Sequence, residues 1–326
     1  MKNINIRNAT RSDIHQLVYL RKQYLIEKYG VKEIENDNML FFQIQRYFNE
    51  HVDKDIDIVV AEADTNIIGV FCVSYLQLLP GMNPDSERSA YLLFDYIKPE
   101  YRINEVREKI FEYSMMNAKE KNATVYEVEV IKSELSRYEK AGFIKSPFPL
   151  VSLYISDKSN YTQMKTSEVN ISFRKADISD ISDLLELRVK FLAEVLAEEE
   201  ISIKRALYDR LKVYIEEFLN KRFDVFLAEN RTEIVGAVFV LYYEKVPDMQ
   251  INNGKVGVPV NFFIQPSYKK TDLAKCLLSF AVECTLEKEV RLFEMAVSKE
   301  NVGFYKELGF EQMELIPIQA YIKHDA

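Results

Sequence analysis

In the second half of the chain the apolar positions switch between a period of two and a period near 3.6, and the order of these switches outlines a mixed α/β fold. Residues 170–174 alternate as a short strand. Asp177 stands where a cap belongs, before a helix beginning near Ile178 whose positions Ile181, Leu184, Leu185, Leu192 and Val195 suit one face. Residues 203–220 read as a second helix. DVFLAEN and EIVGAVFVLYYE read as two strands joined by a turn at Asn230, Arg231 and Thr232, and VPVNFFIQ as a buried strand. Leu273, Leu277, Phe280, Ala281 and Cys284 form the apolar side of the next helix. RLFEMAV is another strand, NVGFYKELGF a short helix ending in glycine, and residues 319–322 a last strand. The expected architecture is a mostly antiparallel central sheet flanked by helices.

The first half repeats this pattern. IRNATRSDI near the start matches FRKADISDI from Phe173, so that Arg7 pairs with Arg174 and Asp13 with Asp180, an offset of 167 residues. The same offset relates Gly69 to Gly236, Pro99 to Pro266, Tyr138 to Tyr305, Gly142 to Gly309, Phe143 to Phe310 and Tyr154 to Tyr321. Two long copies in constant register imply a duplicated domain rather than a solenoid. The 326 residues also exceed the span over which one core keeps growing. The expected domains are 1–158 and 168–326, joined by the polar linker SDKSNYTQMKTSE at 156–168.

Composition narrows the function classes. A formal net charge of −8 argues against a general nucleic-acid binder. The three cysteines, Cys72, Cys276 and Cys284, are too scattered for a disulfide framework, and the three histidines show no metal-ligand spacing. The longest apolar run, IVGAVFVLYY, is about half of a membrane span, and the N-terminus has no apolar core of a secretion signal. The expectation is a cytoplasmic protein with no bound metal and no membrane or nucleic-acid partner.

The order of elements, with Pro-x-Tyr-Lys between a strand and a helix and Phe-Tyr-x-x-x-Gly-Phe near the end, resembles the GNAT family of N-acetyltransferases, present as two tandem copies. NFFIQPSYKKTDLAKCLL resembles the family's acetyl-CoA segment, whose usual pattern is Arg or Gln, two residues, Gly, one residue, then Gly or Ala. In the second copy this stretch is Lys269, Lys270, Thr271, Asp272, Leu273 and Ala274. The last small residue is kept and the first glycine is replaced by Asp272. In the first copy Arg102 is kept and both small residues are gone, at Glu105 and Arg107. Such a loop holds pyrophosphate on helix N-terminal amides. A carboxylate ~4 Å from a phosphate charge costs about 4 kcal/mol at an effective dielectric near 20. Lys269, Lys270 and Lys275 offset Asp272, which favours the second copy for acetyl-CoA. In the first copy Asn104 reads as a cap, with Glu105 and Glu108 in the first turn.

The resemblance implies roles for named residues. Tyr305 would return a proton to the departing thiolate, Asn301 would bond the pantetheine arm, and a backbone amide near Phe263 and Ile264 would polarise the thioester carbonyl. Each has a plain alternative: Tyr305 as a core aromatic, Asn301 as a helix cap, Gly309 as a helix C-terminus. Tyr138, with Glu134 in place of Asn301, reads as structural. Glu294 and Asn261 lie near the central strands as possible bases, with Glu294 expected to face solvent, and Asp95 reads as a structural carboxylate. The implied function is acetyl transfer from acetyl-CoA to a small-molecule or peptide amine, carried by the second copy. The alternative is a noncatalytic tandem protein that binds a metabolite or a partner.

Overall fold

Each half opens with the same strap. In the computed structural model, which describes residues 4–34, 37–82, 88–102, 104–155, 170–197 and 199–323, Arg7 bonds Asp13 at 2.7 Å and Glu62 at 3.0 Å. Arg174 bonds Asp180 at 2.7 Å and Glu229 at 2.6 Å. The linker at 156–168 and the side chain of Asn104 lie outside the described residues. The arginine ties the first strand to the second while its aspartate seats the helix start. Asp177 N donates to Asp180 Oδ2 and Ser179 N to Asp177 Oδ1, so the backbone amides left over at the helix start are satisfied locally.

The first half runs β1 (Ile4–Asn8), α1 (Ile14–Tyr29), α2 (Val31–Ile34), α3 (Asn38–His51), β2 (Ile56–Ala63), β3 (Asn66–Gln77), β4 (Arg88–Ile97), α4 (Asn104–Glu120), β5 (Val125–Val130), α5 (Leu135–Lys140), β6 (Ile144–Lys145) and β7 (Leu150–Tyr154). The second runs β8 (Ser172–Lys175), α6 (Ile181–Leu196), α7 (Glu200–Phe218), β9 (Phe223–Glu229), β10 (Ile234–Glu244), β11 (Lys255–Ile264), α8 (Leu273–Leu286), β12 (Leu292–Ala296), α9 (Val302–Glu307), β13 (Glu311–Gln312) and β14 (Ile316–Tyr321). The elements fall where the periodicity puts them, within a few residues at the ends.

Two seven-stranded sheets result, ordered β1-β2-β3-β4-β5-β14-β6 and β13-β7-β12-β11-β10-β9-β8. The halves of the sequence are therefore not the two sheets. β14 inserts between β5 and β6, with Ile318 opposite Val128, and β7 inserts between β12 and β13, with Leu153 opposite Phe293. Val151, Leu153 and Ile155 join the core of the second sheet, and Ile318, Ala320 and Ile322 that of the first. Among the described strands, pairings are antiparallel except β4 with β5 and β11 with β12, which are parallel.

Polar contacts repeat with the fold. Tyr75 donates to Asp57 at 2.6 Å and Lys121 pairs with the same carboxylate at 2.6 Å. Tyr242 donates to Asp224 at 2.8 Å, and Lys288 pairs there at 2.6 Å. Gly142 and Gly309 end their helices with φ of +89° and +88°, the left-handed region where a Cβ is strained.

Candidate active site

The site is set by where the parallel pair separates. β11 and β12 are in register only at Val256 with Leu292 and Gly257 with Phe293, although β11 continues to Ile264 and β12 to Ala296. Because the two strands are parallel, their C-terminal ends lie at one edge of the sheet. α8 follows the first strand and α9 the second, so the Lys269–Ala274 turn and the Asn301–Tyr305 helix arise on either side of the split. The sequence-predicted segments are thereby brought to one place.

β11 also bulges inside the split. Ala237 faces Phe263 and Phe239 faces Val260, so Asn261 and Phe262 together oppose one residue of β10. Asn261 takes φ of +48°, and it is 4% exposed. Its Oδ1 accepts from Arg188 at 3.1 Å, and its Nδ2 has no partner among the described residues. Phe263 and Ile264 are buried. Gln265 N donates to Val235 O at 2.9 Å, and alternation along an extended strand turns the Ile264 amide the opposite way, toward the side β12 has left.

At the start of α8, Thr271 supplies the cap. Its Oγ accepts from Leu273 N at 3.2 Å and donates to Tyr268 O at 2.9 Å. Asp272 makes no side-chain cap, so it does not close the helix end. Leu273 is fully buried and Ala274 packs against the core. Lys269 pairs with Glu194 and Lys275 with Glu307, while Lys270 is exposed.

Asn301 precedes α9, is exposed and makes no capping hydrogen bond. Tyr305 is 8% exposed, its ring 5.1 Å from that of Phe304 and 5.5 Å from that of Phe310. Burial pushes its phenol up to about 12. The Phe262 and Phe304 rings meet 6.1 Å apart, a contact that spans the split from β11 to α9.

On the side facing the first half, the split opens into a cavity of ≈ 270 Å³ bounded by Val258, Val260, Glu294 and Met295 from its two edges and by Tyr91 and Glu127 from the first half. Glu294, expected to face solvent, is 4% exposed. It accepts from Tyr243 and pairs with Lys245 at 2.6 Å. Lys245 also lies 3.9 Å from Glu129, which accepts from Tyr91. Burial raises the Glu129 pKa, and nearby Glu294 adds to this against the pull of Lys245. Burial works against charge on Lys245 as well, but Glu294 and Glu129 outweigh it and hold its pKa above the usual value. Asp95 pairs with Arg107, which fits the structural role read for it.

Residues 192–324 match the acetyltransferase (GNAT) domain family. The match covers most of the second repeat, and the whole chain has the fold of two GNAT domains in tandem. Its whole length is similar in structure to a tandem GNAT protein from the clavulanic acid biosynthesis pathway, with a TM-score of 0.58 and 15% identity over 99% of this chain and 100% of that one. A GCN5-related N-acetyltransferase from Sphaerobacter thermophilus gives a TM-score of 0.59 and 13% identity over 99% and 97%. At these identities the likeness is one of fold. No curated protein matches the chain by sequence. No helix among the described residues is long and apolar enough to cross a membrane.

Tyr91, Glu127, Glu129, Tyr243 and Lys245 were not singled out by the sequence. The signal available was the strand VYEVEV, which places two glutamates on one face of a central strand.

Proposed function

We propose that the protein transfers an acetyl group from acetyl-CoA to an amine, that the second repeat carries the reaction, and that the first repeat closes the acceptor side. The observation that carries this reading is the parting of β11 from β12 after Gly257 and Phe293, between the starts of α8 and α9. Acetyl-CoA supplies the acyl group as a thioester. The positive end of α8 and the cations Lys269 and Lys270 suit a pyrophosphate, for which Thr271 gives up its cap on the Leu273 amide. Asn301 is exposed and makes no capping bond, so its side-chain amide can meet the pantetheine arm, and the Ile264 amide suits a carbonyl oxygen that gains charge. Tyr305 holds a proton at its phenol oxygen for the departing sulfur.

The test is thermal unfolding with acetyl-CoA. At ~100 times the dissociation constant, binding to the native state adds about 2.7 kcal/mol of stability. A shift that Lys269→Glu removes supports the reading; no shift at millimolar acetyl-CoA rejects it. The Phe262–Phe304 contact across the split favours a second reading, a noncatalytic protein that binds a metabolite or partner. Acetyl transfer to any amine would reject that one.

A further inference from the structure

The cavity beside the split has an unusual stock of polar groups. Five tyrosines line it, and every hydroxyl is committed: Tyr75 to Asp57, Tyr242 to Asp224, Tyr91 to Glu129 and Tyr243 to Glu294, all carboxylates, and Tyr214 to the Gln77 carbonyl. A committed phenol offers a ligand its ring and no proton. Glu129 and Glu294 share Lys245. Glu127 differs. It accepts from Ser89 and forms no ion pair among the described residues, although burial raises its pKa. Arg222 is the one cation in the wall among the described residues, and it is exposed at the rim, 5.0 Å over the Phe218 ring. The interior thus presents apolar surface, carboxylate oxygens and one acid without a counter-ion.

Resting on the acetyl-transfer reading, we propose that the acceptor is a small primary amine that enters as the ammonium, with an otherwise apolar body, and that Glu127 of the first repeat seats it. The fit is between a half-buried carboxylate with no ion pair among the described residues and a ligand that brings a cation. A carboxyl whose proton affinity is raised by burial is also suited to take the proton that the nitrogen must lose. The ammonium N–H bond breaks and its proton passes to a Glu127 oxygen. The freed nitrogen pair forms the C–N bond to the acetyl carbon as the C–S bond breaks, and sulfur leaves with that electron pair. The second nitrogen proton balances the one taken up by sulfur, and Glu127 returns its proton to water. The centre would then be assembled from both repeats, with a first-repeat residue touching the substrate.

Calorimetry on the full chain, without acetyl-CoA, tests this. Butylamine, benzylamine and 2-phenylethylamine are compared with the matched alcohols. The expected result is that at least one amine binds ten-fold or more tighter than its alcohol, and that Glu127→Gln removes the difference while Glu127→Asp keeps part of it. The thermal shift given by acetyl-CoA serves as the fold control for each variant. Equal binding of amine and alcohol, no binding of any amine, or an undiminished preference in Glu127→Gln overturns the proposal. If Glu127→Gln does not fold, the wild-type comparison of amine with alcohol decides alone. Amine binding without any response to acetyl-CoA would reject the acetyl-transfer reading and leave the amine site standing.

Discussion

Arg21 and Arg188 are equivalent residues of the two repeats, and each reaches across to the other repeat to hold the same pair of carbonyls. Arg21 donates to Val246 O at 2.8 Å and to Pro247 O at 3.0 Å. Arg188 donates to Leu79 O at 3.5 Å and to Pro80 O at 3.0 Å. Both are buried, at 5% and 9% exposure. The duplication is thus an approximate two-fold arrangement in which each first helix clamps the loop after the other repeat's third strand. Burial lowers both pKa values, that of Arg188 to about 10, so it stays charged at neutral pH.

These clamps should be costly to remove. A hydrogen bond to a charged donor contributes about 1.5–3 kcal/mol, and a buried carbonyl left unpaired adds a penalty. Arg188→Ala should lower the unfolding free energy by about 3 kcal/mol in urea titrations, with Arg188→Lys between the two because it keeps the charge and loses the fork. Arg188→Ala should also weaken acetyl-CoA binding, since Asn261 at the bulge loses its donor. Arg21→Ala should cost similar stability with binding intact, because Arg21 lies against the Phe94 ring where Arg188 meets Asn261. Equal binding losses in both variants would contradict this division.

The exchanged strands make a second prediction. Val151 and Leu153 are buried in the second sheet and Ile318 and Ala320 in the first. Burying a Val or Leu side chain is worth roughly 1.5–3 kcal/mol, against a total stability of about 5–15 kcal/mol for a domain. Neither 1–158 nor 168–326 alone can complete its sheet, so each should lack a cooperative melt by circular dichroism. Mixing the two during refolding should restore one. A sharp independent melt for either half would show that its own last strand can fold back.

The repeat was legible in the sequence, and so were the elements, because apolar periodicity reports burial directly. The exchange was not. Equivalent strands have equivalent patterns, so the alternation in VSLYI fits beside β5 or beside β12 equally well; alternation fixes which face is buried, not which neighbour is paired. The segments holding Lys269–Ala274, Asn301 and Tyr305 were singled out from motif and position, and they follow the two strands that part. The carboxylate cavity was missed because its members come from both repeats. Glu294 read as a solvent-facing strand residue, and it is buried because Tyr243 and Lys245, at the end of an apolar run, satisfy it.

His51 joins the repeats in a pH-dependent way. Its Nδ1 lies 2.8 Å from Asp55 and its Nε2 3.2 Å from Glu244 of the second repeat. Burial disfavours the charged ring, but the hydrogen bonds to Glu244 and Asp55 outweigh it, and the pKa is raised. The stabilisation is therefore fully present below the unfolded-state value of about 6.5 and is lost as pH rises through the folded value. His51→Gln should remove a fall in Tm on the alkaline side of that range. A wild-type and variant profile that run parallel from pH 5 to pH 9 would exclude the switch.

Tyr305→Phe separates chemistry from packing at the proposed centre. The substitution keeps the ring between Phe304 and Phe310, so stability should change little. The phenol, pushed up to about 12 by burial, stays protonated through the neutral range and has a proton to give. A free thiol titrates near about 8.5, so the transfer to sulfur is uphill in water and depends on the thiolate being desolvated in the same site. Loss of a positioned acid should lower kcat by about a hundredfold or more. The acetyl-CoA dissociation constant should hold, because the ring and the helix start are untouched. No inflection from Tyr305 should appear in the rate profile between pH 6 and 9. Unchanged kcat with weakened acetyl-CoA binding would make Tyr305 a wall of the site rather than its acid.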